Sequence, residues 1–449
     1  MTRRPPTSDP RPESTSPASA VAPSRRGVLV GTGALLAVEA CRRAGLVAGT
    51  IGRPAESAPV AGASGRTPAT AAPRGDSGVP RREAFDAWLL GRMMLHEGDG
   101  AGLVHYYEHA ASGPELLSPM VTAKTGLYLL ATGRLDEAKA CADALYRFQV
   151  PRDGPGHLRG GLASSIVRGA DGRLVSGDAY YAGDNLVAAW FFHALFRRTG
   201  EAAAAAAAAA ACTFVCESLM SGLSAGVWAE DHGAPMALVR RDGARVNRIN
   251  THVELAWLRV LSDVGRVIRS GTLVRAFERS SAFHASGLQP SGAMLDHYEP
   301  GWPPARFDPA RWRPYSTSGQ LIGDNLLRAA VGWVRLGFPE RARGIVAFLK
   351  PDDGAVPGYL DGRTGAAGFV ARDRVYHDVV CSGLLRSVAN ALGDGALARR
   401  CEAYLARTQD ETSGGWFWGL HADDLTPVEP KRATLTGLWA VHDFLGADR

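Results

Sequence analysis

Residues 182–220 read AGDNLVAAWFFHALFRRTGEAAAAAAAAAACTFVCESLM, and this stretch decides the fold class. Apolar side chains recur with the period of a helix on both sides of Thr199-Gly200. Glycine often ends a helix, because it adopts the left-handed backbone without strain. The stretch therefore predicts two helices, at about 184–199 and 201–220, joined by a tight turn.

The same hairpin pattern recurs along the chain, at intervals of roughly 55 to 68 residues. Glycine again marks the joints, at Gly133, Gly337 and Gly393. The sixth pair begins with the helix predicted at about 431–445, and no second helix follows it. The helix predicted at about 82–97 supplies the missing partner, which closes the chain into a circle. Six hairpins then form an all-α (α/α)6 toroid. An open solenoid is the alternative, but neither end shows a polar capping repeat. The predicted helices span about 82–97, 101–112, 118–132, 134–148, 184–199, 201–220, 250–268, 271–286, 318–336, 338–349, 376–392, 394–407 and 431–445.

The first 80 residues differ in composition from the rest of the 449-residue chain. They hold ten arginines and five acidic residues, and the remainder holds 40 basic and 40 acidic residues, so the net charge of +5 lies in the leader. Ser24-Arg25-Arg26-Gly27-Val28-Leu29, followed by an apolar stretch, resembles a twin-arginine export signal. We expect a disordered N-region with a signal peptide at 1–50, a flexible linker at 51–80 and a single catalytic domain at 81–449.

Charge and hydropathy exclude several classes of partner. The electrically neutral region 81–449 offers no basic patch that would favour nucleic acid. No long apolar run occurs outside the N-terminal region, which excludes a polytopic membrane protein. We therefore expect a secreted or cell-surface protein that meets the membrane only through its export signal.

The cysteines and the known cofactor motifs give no sign of a bound group. No CxxC pair, phosphate-binding glycine loop or HExxH motif occurs, so neither a metal nor a cofactor is predicted. The cysteines are expected to be small buried side chains, and a Cys381–Cys401 disulfide is the alternative.

Segments that follow the second helices share a glutamine and a glycine. They include Phe148-Gln149 to Gly154, Leu288-Gln289 to Gly292, and Thr408-Gln409 to Trp416. The last resembles the glutamine-to-tryptophan repeat of triterpene cyclases, in which these residues fasten an outer helix to the next loop. The resemblance implies a structural role here.

Polar residues concentrate where the first helix of each predicted pair begins. If these helices line the ring, the long loops gather at their N-terminal ends, where function usually lies. Gly-Asp-Asn-Leu occurs there twice, at 183–186 and 323–326. Glycosidic cleavage needs two carboxyl groups, one to protonate the leaving oxygen and one to activate water or attack carbon. Helix capping is the alternative role for these Asp and Asn residues. The predicted catalytic residues are Asp184, Asp324, His252 and Glu254.

Aromatic, amide and further charged side chains near the same ends are predicted to bind substrate. Tryptophan and tyrosine suit stacking on sugar rings, with covering of the core as their alternative role. The predicted substrate-binding residues are Asp178, Tyr181, Asn185, Asn250, Trp228, Tyr298, Trp302, Gln320, Asn325, His377, Asp378, Trp416 and Trp418.

Region 81–449 resembles the six-hairpin (α/α)6 superfamily of glycoside hydrolases and polysaccharide lyases. The resemblance rests on the pattern Tyr181-Ala-Gly-Asp184-Asn185-Leu186, followed by the Thr199-Gly200-Glu201 joint. It implies a secreted enzyme that acts on an oligo- or polysaccharide, but a fold alone does not fix a function.

Four functions remain open on the sequence. A glycoside hydrolase explains the export signal, the toroid, the carboxylates and the aromatic loops. A polysaccharide lyase or uronate C5-epimerase is the first alternative, because lyases of this architecture use Asn and Arg or His to neutralise a uronate and Tyr or His to remove its proton. Asn250, His252 and Tyr298 or Tyr315 would serve, with a buried core histidine as the other reading of His252. A terpene-cyclase-like enzyme and a non-catalytic glycan-binding protein are the remaining alternatives.

Overall fold

The computed structural model describes residues 79–109, 111–219, 234–235, 237–246, 249–250, 255–288, 292, 294, 297–298, 323–349, 368–371, 374–421 and 425–446. The leader and linker predicted at 1–50 and 51–80 lie outside these ranges, apart from the last two linker residues. None of the described helices combines the length and apolar character needed to cross a membrane.

The described α-helices alternate between two concentric layers, and those of the inner layer carry even numbers. In chain order they are α1 (Arg82–Trp88), α2 (Pro119–Ala131), α3 (Leu135–Phe148), α4 (Ala182–Thr199), α5 (Ala202–Phe214), α6 (Arg259–Val267), α7 (Gly271–Ser286), α8 (Gly323–Arg335), α9 (Pro339–Phe348), α10 (Val379–Leu392), α11 (Gly395–Thr408) and α12 (Thr434–Val441).

The inner helices form a closed ring. Helix α2 packs on α4, α4 on α6, α8 on α10, α10 on α12, and α12 returns to α2. Between α6 and α8, the Arg259 guanidinium donates a hydrogen bond to the Arg335 carbonyl at 3.1 Å. Helix α1 supplies the outer partner of α12, and Phe85 packs directly on Gly437. The predicted (α/α)6 toroid and its circular closure are therefore confirmed.

Glycines end the short joints between paired helices, as the sequence predicted. Gly133, Gly200, Gly337 and Gly393 have φ angles of 79°, 75°, 84° and 78°. This left-handed region strains residues that carry a Cβ, so glycine is the residue that turns the chain here at least cost.

The loops that follow the outer helices fasten neighbouring hairpins together. The Gln149 amide donates to the carbonyls of Gly160 at 2.8 Å and Ala207 at 3.0 Å. The Gln409 amide donates to Arg81 at 2.9 Å and Gly414 at 2.7 Å, and its oxygen accepts from the Arg81 amide at 2.7 Å. The predicted structural role of these glutamines is confirmed, and the second of them links the two ends of the ring.

Short antiparallel strands replace parts of the predicted helices. The hairpin β1 (His105–His109) and β2 (Gly113–Leu117) occupies most of the helix predicted at 101–112, which was wrong. Positions 250, 376–378 and 431–433 were also assigned to helices but lie in strands, because they pair with neighbouring loop segments. The other strands are β3 (Ile166–Arg168), β4 (Leu174–Ser176), β5 (Ala179–Tyr181), β6 (Leu238–Arg240), β7 (Arg245–Val246), β8 (Ile249–Asn250), β9 (His297–Tyr298), β10 (Gly368–Ala371), β11 (Arg374–Asp378), β12 (Gly419–His421) and β13 (Lys431–Ala433).

The described cysteines are buried free thiols, so the alternative of a Cys381–Cys401 disulfide is wrong. Burial raises the pKa of the Cys401 thiol to about 12, which keeps it protonated and unreactive.

Candidate active site

Three tryptophans, from α4, from the segment just before α6 and from α12, meet across the ring. Trp257 precedes α6 and Trp439 lies in α12, which are opposite members of a ring of six, yet their ring centroids are only 6.4 Å apart. Trp190 of α4 stacks on Trp257 at 5.3 Å. Phe444, which follows the C-terminal end of α12, packs on Trp439 at 4.7 Å. Trp190, Trp257 and Trp439 therefore form a floor across the axis, which we call the tryptophan floor.

Cations from two inner helices lie against this floor. The Lys124 ammonium, from α2, is 5.0 Å from the centroid of Trp257 and 5.9 Å from that of Trp439. The Arg335 guanidinium, from the end of α8, is 3.7 Å from the centroid of Trp190. Both side chains are buried, so these cation–π contacts act in a poorly solvated setting, where they are strongest.

Asp184 lies in the first turn of α4, about one and two-thirds helical turns nearer the loop side than Trp190. Its side chain is partly buried. Burial raises the pKa of Asp184 to about 6, while the Ser164 hydroxyl and the charges of Lys124 and Arg328 act in the opposite direction. Since burial prevails, Asp184 exchanges its proton close to neutral pH, which suits a general acid or base.

Asn185 fixes the loop that covers this end of α4. Its side-chain oxygen accepts from the Leu162 amide at 2.7 Å, and its amide donates to the carbonyls of Leu162 at 3.0 Å and Tyr181 at 2.8 Å. The side chain is completely buried and its hydrogen bonds are local. Asn185 of the Gly-Asp-Asn-Leu motif therefore holds the loop that carries Ser164, and this role explains its position better than the predicted contact with substrate.

Two other predicted binding residues precede α4 in the chain. Tyr181 is the N-cap residue of α4, partly buried, and belongs to β5. Asp178 is exposed, with 60% of its side chain accessible, and its carboxylate lies 3.5 Å from the Arg240 guanidinium. Tyr181 therefore lies close to Asp184 in the chain, and Asp178 is exposed to solvent.

Predicted residues of α8 and α10 lie at the same ends of their helices. Asn325 is buried in the first turn of α8. Asp378 is the N-cap of α10, and its carboxylate accepts from the Val380 amide at 3.0 Å. His377 is buried 3.2 Å from the Tyr404 hydroxyl of the outer helix α11, so it lies between the two layers.

The predicted tryptophans of the last loop have structural positions. Trp416 is fully buried, donates its indole N–H to the Leu405 carbonyl at 2.8 Å and packs on Phe85. It has no surface on which a sugar could stack, so the predicted binding role is wrong and core covering is correct. Trp418 is partly buried, and its backbone bonds to Val379 and Lys431.

The remaining predicted residues are described in part or not at all. Asp324 lies in the first turn of α8. Asn250 and Tyr298 occupy the paired strands β8 and β9, where Ile249 is opposite Tyr298 and Asn250 is opposite His297. His252, Glu254, Trp228, Trp302 and Gln320 lie outside the described residues.

Several residues of the inner ring and of the β1–β2 hairpin were not predicted from the sequence. Lys124, Arg328 and the tryptophan floor lie inside helices that were predicted only as scaffold. Tyr107 of β1 was assigned to a helix, and burial, the neighbouring Tyr106 and the charge of Asp378 all raise its pKa. Within the described ranges, no three His, Cys, Asp or Glu side chains are arranged to hold a metal ion.

Comparisons with known proteins agree on the architecture. No family model matches the chain, and no curated protein matches its sequence. Among solved structures, cellobiose 2-epimerase from Spirochaeta thermophila matches with a TM-score of 0.59 and 14% identity, over 82% of this chain and 96% of that one. An alpha-amylase from Clostridium perfringens matches with a TM-score of 0.54 and 10% identity, over 83% and 99%. An unsaturated glucuronyl hydrolase specific for heparin matches with a TM-score of 0.53 and 12% identity, over 77% and 90%. At these identities the likeness shows the fold.

Proposed function

We propose that this protein is a carbohydrate-active enzyme, most directly a glycoside hydrolase, in which Asp184 transfers the proton. The observation that carries the proposal is the position of Asp184 above a closed aromatic floor, with a pKa of about 6. A carboxyl group protonated near neutral pH can donate to a leaving glycosidic oxygen, and an ordinary aspartate cannot. Sugar enzymes among the structures of similar fold support the substrate class.

A hydrolase also needs a second carboxyl group, which activates water or attacks carbon. Asp324 begins α8 just as Asp184 begins α4, and both belong to a Gly-Asp-Asn-Leu motif. We propose Asp324 or Glu254 for this role.

An epimerase is the second candidate, and the position of Lys124 favours it. Removing a proton from a carbon next to a carbonyl or carboxylate creates negative charge on oxygen, and a nearby cation stabilises that charge. The positive charges of Lys124 and Arg328 both lower the pKa of Asp184, so two cations act on the candidate base. The similarity in fold to a cellobiose 2-epimerase supports this alternative.

The test is an assay of the purified protein on neutral and acidic oligo- and polysaccharides, read by three signals at once. New reducing ends indicate hydrolysis, absorbance of an unsaturated uronate indicates elimination, and chromatography of the sugars detects epimerisation. Asp184→Asn should lower kcat by about 100-fold or more, because proton transfer by a positioned group contributes about that much. Asp136→Asn is the matched control, because Asp136 is exposed on the outer helix α3. Full activity of Asp184→Asn would refute the assignment.

We also propose that the protein is exported by the twin-arginine route. The motif at Arg25-Arg26, ahead of an apolar stretch, supports this. Changing both arginines to lysine should retain the protein inside the cell in a fractionation experiment, and unchanged export would contradict the proposal.

A further inference from the structure

The joint between α6 and α7 differs from other short joints of the ring. Its left-handed residue is Arg269, with a φ angle of 57°, whereas glycine holds the corresponding position at Gly133, Gly337 and Gly393. The turn closes in the same way at all four joints, because the amide of the following residue donates to the carbonyl five positions before it, at 2.8–2.9 Å. A residue with a Cβ is strained in this conformation, so an arginine here lowers the stability of the fold. Such an outlier points to a role other than folding.

Two aliphatic side chains precede this arginine and face solvent. Val267 and Ile268 are 48% and 41% exposed, and within the described ranges they are the only large apolar residues of this exposure that adjoin each other in the chain. At the joint between α10 and α11 the corresponding residues, Ala391 and Leu392, are partly buried. Residues 266–269, which we call the α6–α7 tip, therefore present aliphatic surface that the turn itself does not require.

Exposed positive charge surrounds the α6–α7 tip. Arg266 and Arg269 flank the aliphatic pair, Arg275 follows in α7, and all three are exposed. No acidic residue occurs from position 264 to position 277. Helix α4, which packs beside α6, ends in two more exposed arginines, Arg197 and Arg198. Aliphatic surface and positive charge therefore occur together at this end of the two helices.

We propose that the α6–α7 tip docks the protein on an anionic phospholipid surface, with Val267 and Ile268 inserted at the headgroup boundary and the arginines bound to lipid phosphates. A guanidinium matches a phosphate in charge and geometry, and each basic residue near an anionic membrane adds to the affinity. Aliphatic side chains that enter the boundary between headgroups and acyl chains add to it further. This contact is additional to the one expected for the export signal and does not depend on the proposed function.

The size of the tip favours a lipid surface over a protein partner. A stable protein interface takes about 20–30 residues from each side. The aliphatic part of the tip consists of two side chains on one short joint, which is too small for such an interface but sufficient to enter a headgroup layer. The tip also lies at the C-terminal end of an inner helix, opposite the loop side, so docking leaves the candidate active site open to solvent.

The test is sedimentation of the purified full chain with vesicles of two compositions, phosphatidylcholine alone and phosphatidylcholine mixed with phosphatidylglycerol. We expect binding to the anionic vesicles to be about tenfold tighter or more. Hydrogen–deuterium exchange read by mass spectrometry adds a local signal, because anionic vesicles should protect the peptide that spans residues 264–272. This signal separates the tip from the apolar stretch that follows Arg25-Arg26 in the leader.

Variants of the tip separate its two components. Val267→Ser combined with Ile268→Ser should weaken binding about tenfold and remove the local protection. Arg269→Gly should weaken binding about fivefold, yet raise the midpoint of urea unfolding, because glycine relieves the strained backbone. Val175→Ser is the matched control, since Val175 is 42% exposed on β4, in the loop before α4, and should leave binding unchanged.

Circular dichroism checks that each variant is folded, and Arg269→Gly still tests the proposal if the double serine variant does not fold. Equal binding of both vesicle types, no protection of residues 264–272, or unchanged binding by the folded variants would overturn the proposal. Sedimentation velocity without vesicles tests a second copy of the chain as the occupant. A dimer that the double serine variant dissociates would assign the tip to that copy and overturn lipid docking.

Discussion

Glu108 and Asp184 are both carboxylates inside the toroid, but their surroundings differ. Glu108 is fully buried on β1, accepts hydrogen bonds from the Trp88 indole at 2.6 Å and from Arg432 at 3.2 Å, and forms an ion pair with Arg92 at 2.5 Å. Asp184 is less enclosed, yet the burial of its carboxyl outweighs the nearby positive charges and raises its pKa. One carboxylate is fixed by its partners, and the other remains able to exchange a proton.

The difference separates a structural site from a chemical one. Glu108 joins the outer helix α1 to β13, which enters the last inner helix, so its ion pairs lie at the point where the chain closes the ring. Arg432 also bonds to Asp410 at 2.8 Å, which extends the network to the loop after α11. Such a network keeps the scaffold rigid. A rigid scaffold can hold the Asp184 carboxyl in a buried position, although burying it lowers the stability of the folded protein.

Removing the charge of Glu108 should have the largest effect on stability. Glu108→Gln leaves Arg432 and Arg92 without their buried partner, and breaking a buried pair in this way costs about 3 kcal/mol. Guanidinium unfolding measures the change, and the activity of the folded variant should persist. Glu115→Gln is the matched control on the neighbouring strand, since Glu115 is partly exposed and lies 3.7 Å from Lys431. Equal stability of both variants would show that the network at Glu108 does not close the ring.

The sequence predicted the scaffold well because its signals are local. Gly133, Gly200, Gly337 and Gly393 mark the joints by a backbone requirement that only neighbouring residues impose. The repeated Gly-Asp-Asn-Leu motif located Asp184 for a related reason, because each copy begins an inner helix. The burial of Glu108 was not predictable, since Arg92 and Arg432 come from opposite ends of the domain.

One missed feature had a signal in the sequence and the other did not. Residues 105–109 form a strand in which partly buried and buried positions alternate, but the letters HYYEH do not alternate between polar and apolar residues, so the surrounding helices favoured a helical assignment. Helix α2 is buried around most of its surface, so a single lysine in it had to lie inside the protein. Lys124 could have been identified in this way, whereas its contacts with Trp257 and Trp439 depend on how the ring closes.

The smaller prediction concerns the pH dependence of stability at Asp184. An unfolded aspartate has its ordinary pKa of 3.8 and the folded one about 6, so between these values the folded state holds a proton that the unfolded state releases. Stability therefore falls as the pH rises through this window and stays lower above it. Asp184→Asn lacks this loss, so its free energy of unfolding relative to the unchanged protein should gain almost nothing at about pH 3 and about 2 kcal/mol at about pH 7.5. The gain is smaller than the full pKa shift implies, because solvent reaches a partly buried group.

Urea unfolding of both proteins across this pH range measures the difference between their free energies of unfolding. The contributions of all other titrating groups cancel in this difference. If Asp184→Asn were instead less stable than the unchanged protein at pH 7.5, the charges of Lys124 and Arg328 would outweigh burial. Asp184 would then be a fixed ion-pair partner like Glu108, and the distinction between the two carboxylates would fail. A gain in stability combined with a loss of activity would show that the folded protein sacrifices stability to keep this proton exchangeable.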